Sequence, residues 1–217
     1  MSFVSIVMSN KFISVVADGR ATNPDGDILY EDIFKIKEFG TKKFVVCTGS
    51  MSLMNEVFDK VVHYHDLEVC ATNIYEFINQ EEYLNFPSSS SVVIGGINKN
   101  DEVELFSINN HKENRFIKVN NNQEEYCEFL ILFPDVNKEF EKSILPTLLN
   151  MLKYRENELK QVNENLSVED IREIQIELNS YIADNYNTVN KNTLTCLINK
   201  SSSEESLDFE EYFKPLI

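Results

Sequence analysis

A chain of 217 residues, 42% of them hydrophobic, has enough apolar content to bury one full core as a single domain. Its formal net charge of −16 and isoelectric point near 4.6 exclude nucleic acid and anionic membrane surfaces as expected partners. No basic segment leads into an apolar one at the start, and no apolar run is long enough to span a bilayer, so a soluble cytoplasmic protein is expected.

In chain order, Met1-Ser2 is followed by two strand-like runs, residues 3–8 and 12–17, ending in Asp18-Gly19-Arg20-Ala21-Thr22. Ile33-Phe34-Lys35-Ile36 suggests a third strand, and residues 44–47 a fourth that ends in Thr48-Gly49-Ser50. Apolar residues at 51, 54, 57, 58, 61 and 62 then recur at helical spacing, with Ser50 or Ser52 available as cap. A short helix is expected over 73–83, and Phe86-Pro87 with its run of serines marks a break. Residues 92–97 and 102–108 form a hairpin around the turn Asn98-Lys99-Asn100-Asp101.

Strands near 115–119 and 127–133 follow, then a helix over about 137–154. Ser167-Val168-Glu169-Asp170 has the form of a capping box opening a helix to about Ala183, with Ile171, Ile174, Leu178 and Ile182 on one stripe. Residues 193–198 read as a late strand, so the expected organisation is one domain over 1–200 and an acidic tail over 201–217. Cys47, Cys70, Cys127 and Cys196 lack ligand spacing and read as buried thiols. His63 and His65 face different ways on a helix, so no metal site is expected.

Removal of Met1, which a small following residue permits, would leave Ser2 with a free α-amine beside its hydroxyl. The amine can take the hydroxyl proton, so the pair is a nucleophile carrying its own base. Asp18 stands sixteen positions after Ser2, and the order nucleophile, two strands, Asp-Gly-Arg-Ala-Thr, strand, strand, Thr-Gly-Ser, helix continues to about residue 108. This order resembles the proteasome β-subunit and HslV-type peptidases of the N-terminal nucleophile hydrolases.

The resemblance implies an α+β fold, an αββα sandwich of two antiparallel sheets covered by helices on both outer faces. It also implies a cytoplasmic homo-oligomer, built as a ring or stacked rings, that takes a peptide or amide substrate and needs no cofactor. In the family a Lys precedes the apolar pair opening the third strand and pairs with the Asp. Matching that pair to Ile33-Phe34 puts Asp32 at the position, and ungapped counting from Ser2 puts Phe34 there; Asp32, Phe34 and Ile36 share one strand face and Lys35 and Lys37 the other. Asp18 and Asp32 then form a like-charged pair with Arg20 as the nearest cation. Gly49 stands where a main-chain N–H binds the oxyanion. The family's Asp-x-x-Ser-Gly segment falls near Asp184, Asn187 and Thr188, where it is incomplete.

Two function classes follow. One is an amide-bond hydrolase in which Ser2 attacks, Asp18 orders the site and Gly49 binds the oxyanion. The other is a non-catalytic protein of the same architecture acting in assembly or binding, which the missing lysine favours.

Overall fold

The computed structural model describes residues 3–23, 25, 27–84, 90–110, 116–120, 128–132, 138–161, 167–201 and 211–212. Expectations for Met1, Ser2, the 85–89 break, Arg115, Cys127 and Phe133-Pro134-Asp135 lie outside them, as does most of the tail.

The first strands are β1 (Val4–Met8) and β2 (Phe12–Asp18), both buried throughout. Alternating side chains are apolar on both faces because both faces are covered. Val4, Ile6 and Met8 point into a central cluster, whereas Phe3 and Val7 enter another. After β2 the chain leaves the sheet as a small hairpin, β3 (Ala21–Thr22) and β4 (Ile28–Tyr30), then returns through β5 (Ile36–Glu38) and β6 (Lys43–Thr48). Next come α1 (Met51–Val61), α2 (Leu67–Ile78) and α3 (Glu81–Leu84). The hairpin β7 (Ser91–Ile97) and β8 (Val103–Asn109) precedes β9 (Phe116–Asn120) and β10 (Glu128–Leu132). Two long helices, α4 (Lys138–Gln161) and α5 (Val168–Asn185), lead to β11 (Thr193–Asn199) and β12 (Glu211–Tyr212).

The chain is α+β with antiparallel sheets: β10-β1-β2-β11-β12, β5-β6-β7-β8-β9 and the hairpin β3-β4. The two five-stranded sheets share the central cluster, which includes Ile6, Val15 and Cys196 from one and Phe44, Val93 and Leu105 from the other. Outside the second sheet, Val57, Phe58, Ile74 and Ile78 of α1 and α2 pack on Val45, Ile94 and Phe106. Outside the first, Ile144, Leu148, Ile174 and Leu178 of α4 and α5 pack on Phe3, Val7 and Phe12. The resulting order is helix, sheet, sheet, helix.

Helix starts follow their caps. Ser50 accepts from the Leu53 N–H, and the Ser167–Asp170 capping box forms with both reciprocal bonds. α2 starts six residues before the expected 73, because its signal is Asp66, whose carboxylate accepts from Glu68 and Val69 N–H ahead of the apolar pattern. On α5 the expected stripe is buried, and Gln175 lies within it. Its amide accepts from the Ser14 hydroxyl at 2.6 Å and donates to Ser5 O at 2.9 Å, tying α5 to β1 and β2. Of the α1 stripe, Met54, Val57, Phe58 and Val61 are buried inside the chain together with Leu53, while Val62 is exposed. Two residues of the expected tail, Glu211 and Tyr212, pair with Leu194 and Thr193 as an added strand.

Cys47, Cys70 and Cys196 are buried free thiols, and burial raises all three, that of Cys70 to about 12. Among the described residues no helix is long and apolar enough to cross a membrane.

Candidate functional site

The end of β2, the start of β5 and the first described residue meet. Asp18 is fully buried, and its Oδ1 accepts from the amide of Phe3 at 2.7 Å and from the ammonium of Lys35 at 2.6 Å. Its Oδ2 accepts from the Arg20 amide at 3.0 Å. The Lys35 Nζ also donates to the Arg20 carbonyl at 2.6 Å, which leaves one of its three donors without a partner among the described residues. Only 3% of the Lys35 side chain is exposed. Burial holds its amine below the ordinary lysine value, the Asp18 carboxylate works against that shift, and the nearby Arg20 charge adds to it.

Lys35 therefore supplies the cation beside Asp18, which overturns the expectation that Asp32 holds this position. The strand begins at Ile36 rather than at Ile33-Phe34, so the residue preceding its apolar start is Lys35. Side chains alternate as expected, because Ile36 enters the central cluster while Ile33 packs on the helix side. Asp18, however, follows Ala17, which faces the central cluster, so Asp18 is itself turned off that face and meets Lys35 where the chain crosses between sheets.

Asp32 is exposed and accepts from the Asn192 side chain at 2.9 Å; the like-charged pair with Asp18 does not form. Replacing Asp32 by Asn should therefore change stability by no more than about 0.5 kcal/mol. Urea unfolding at pH 7 checks this, and a larger change would mean that the carboxylate has a charged partner.

Arg20 is not the cation of Asp18 either. Its guanidinium makes a two-point contact with Glu31, at 3.1 and 2.9 Å, and donates to the Asn187 carbonyl. Burial pushes the Glu31 carboxyl up, but hydrogen bonds from Arg20 and Asn190 win and hold it below the usual carboxylate range. Asn187 thus reaches this network through its backbone. Thr188 is buried and its hydroxyl has no partner among the described residues, while Asp184 is an exposed partner of Lys191 at 2.6 Å.

Gly49 lies between β6 and α1 with φ +101°, a conformation open to glycine and strained for other residues. The strand before it runs beside the lysine, since the Cys47 N–H donates to the Lys35 carbonyl at 3.0 Å. Ser2, the candidate nucleophile, lies outside the described residues, but the residue bonded to it is Phe3, whose N–H is held by Asp18.

Sequence reasoning also missed Glu31, Asn190 and Asn192. Asn190 is buried between α5 and β11 and bonds to Gly19 and Glu31; Asn192 accepts from the Gly19 N–H through its carbonyl at 3.0 Å. A concavity beside the pair is lined by Gly19, Asp32, Ile33, Phe34 and residues 192–194. No group of His, Cys, Asp and Glu among the described residues is arranged to hold a metal ion.

Chemically, the site places a desolvated ammonium, its carboxylate partner and a backbone carbonyl around the start of the first strand. Against models of known protein families and against curated proteins, the chain matches none.

Proposed function

We propose that the chain is a proteasome- or HslV-like N-terminal nucleophile hydrolase that cleaves amide bonds of peptides, with Ser2 as nucleophile once Met1 is removed. The observation that carries this is the buried Lys35–Asp18 pair, because the same Asp18 oxygen holds the amide of the residue that follows Ser2.

In this mechanism the Ser2 hydroxyl oxygen attacks the substrate carbonyl carbon while its α-amine takes the proton. The Lys35 charge stabilises the developing serine alkoxide, Asp18 holds Lys35 in place, and the Gly49 N–H faces the tetrahedral oxyanion. Collapse breaks the C–N bond, the departing amine takes the proton from the α-ammonium, and an ester remains on Ser2. Water, deprotonated by the α-amine, then hydrolyses that ester and frees the hydroxyl.

The test is intact mass of the untagged protein, with turnover of a peptide-amide panel and a serine-directed covalent probe mapped on the N-terminal peptide. Met-free protein should turn over substrate and carry the probe on Ser2, while Ser2→Ala or retained Met1 should abolish both. A Met-free protein that stays inactive and unlabelled would remove the hydrolase proposal.

The alternative, a non-catalytic protein of this architecture acting in oligomeric assembly, is favoured by one observation. Ile28, Leu29 and Tyr30 are consecutive exposed residues, and Phe34 is exposed beside them in sequence. In that case Lys35–Asp18 is a structural tie, and light scattering at micromolar concentration should show an oligomer that Leu29→Glu dissociates.

A further inference from the structure

The chain between Gly19 and Glu31 leaves the first sheet, forms the β3-β4 hairpin and returns. One buried side chain clamps both ends of this excursion. The Asn190 Oδ1 accepts from the Gly19 N–H at 3.0 Å, and its Nδ2 donates to the Glu31 carbonyl at 2.6 Å and to the Glu31 carboxylate at 2.8 Å. Asn190 is in turn fixed to α5, because its carbonyl accepts from the Asn179 side chain at 2.8 Å. Every polar atom of the Asn190 amide is thus directed at this excursion, while the Lys35 amine bonds to Asp18 and to the Arg20 carbonyl.

The residue held next to Gly19 is Arg20, which serves the lysine through its main chain. Its carbonyl accepts from Lys35, its N–H donates to Asp18, and its guanidinium is held by the Glu31 carboxylate that Asn190 also contacts. We propose that Asn190 is a positioning residue for the Lys35 amine, fixing the Arg20 carbonyl that takes one of its hydrogen bonds and the Glu31 carboxylate that neutralises Arg20. Its role in turnover rests on the hydrolase proposed above; its effect on the amine does not.

Loss of the clamp should act on Lys35 in one direction. A loosened Arg20 carbonyl withdraws an acceptor that favours the charged amine, and an Arg20 charge freed from Glu31 disfavours it further. The charged groups acting on the amine are Asp18, Arg20 and, through Arg20, Glu31.

The experiment is a pH titration of the Lys35 side-chain resonances in full-length protein carrying isotope-labelled lysine, with the signal identified by its absence in Lys35→Met. Asn190→Ala should lower the titration midpoint by about half a unit or more, and Glu31→Gln should lower it as well. Ser167→Ala, which weakens the cap of α5 without touching the excursion, should leave it in place. If Asn190→Ala does not fold, Glu31→Gln, a change at an exposed carboxylate, carries the test. Midpoints unmoved in the folded variants overturn the proposal.

Turnover of peptide amides separates the two proposals. If the hydrolase is real, Asn190→Ala should lower kcat and leave KM near the wild-type value. A shifted midpoint in a protein that never turns over substrate keeps the positioning role and removes the hydrolase; an active wild type with an unmoved midpoint does the reverse.

Discussion

Replacing Lys35 by methionine should cost about 3–5 kcal/mol of stability, because it leaves a fully buried carboxylate without its cation. Methionine fills most of the volume, so the loss is electrostatic rather than a cavity effect. Asp18 keeps the Phe3 and Arg20 N–H groups as donors, yet neither carries a charge. Adding Asp18→Asn to Lys35→Met should restore part of the loss, since removing both charges avoids an uncompensated one. Restoration should be incomplete because the two Asp18 oxygens accept from separate backbone N–H groups, and asparagine has one oxygen to offer. Urea unfolding of the two single variants and the double variant gives the coupling directly. A single-variant loss below about 1 kcal/mol would mean that water reaches the pair.

The pH dependence has a definite sign. Burial keeps Lys35 in the folded protein below its ordinary 10.5, while the unfolded chain keeps the ordinary value. Between the two, the unfolded state binds more protons, so this group's contribution to stability rises with pH and levels off above 10.5. The margin of wild type over Lys35→Met should therefore widen as pH climbs through that window. In the proposed hydrolase the same variant should lose about 100- to 1000-fold in kcat, the effect of deleting one preorganised charge donor.

The architecture was legible because its strands and helices announce themselves locally. The runs that became β1, β2, β6, β7 and β8 are apolar on both faces, and the Ser50 and Ser167 caps sit where the helices begin. The Asp18 end of the site was legible for the same reason: it closes a long strand. The Lys35 end was not, because β5 is three residues long and two apolar residues ahead of it imitate a strand start. Parity along so short a segment fixes which residues share a face, but not which face looks toward Asp18. Asn190, Glu31 and Gln175 were invisible for a different reason. Each joins elements far apart in the chain, and an isolated Asn, Glu or Gln has no local signature.

Gly96→Ala should destabilise the fold by about 3 kcal/mol or more, since it combines a backbone conformation closed to other residues with a backbone clash. Gly96 has φ +152°, and a Cβ built on it would lie 2.3 Å from the Lys42 carbonyl oxygen and 2.9 Å from the Lys43 Cα. Neither atom belongs to a movable side chain. Lys43 is the direct partner of Gly96 across the β6-β7 ladder, and the Lys42 carbonyl accepts from the Ile97 N–H at 3.0 Å, so relief requires breaking the ladder there. The neighbouring Gly95 provides the comparison. The atoms nearest a Cβ there belong to side chains, Phe44 and Leu105 at 2.8 Å, inside the central cluster, and Gly95→Ala should cost about 1–3 kcal/mol of overpacking. Thermal or urea unfolding of the two variants should rank Gly96→Ala as the worse. An equal or reversed ranking would put the β6-β7 register in error, and with it the strand that runs past Lys35 to Gly49.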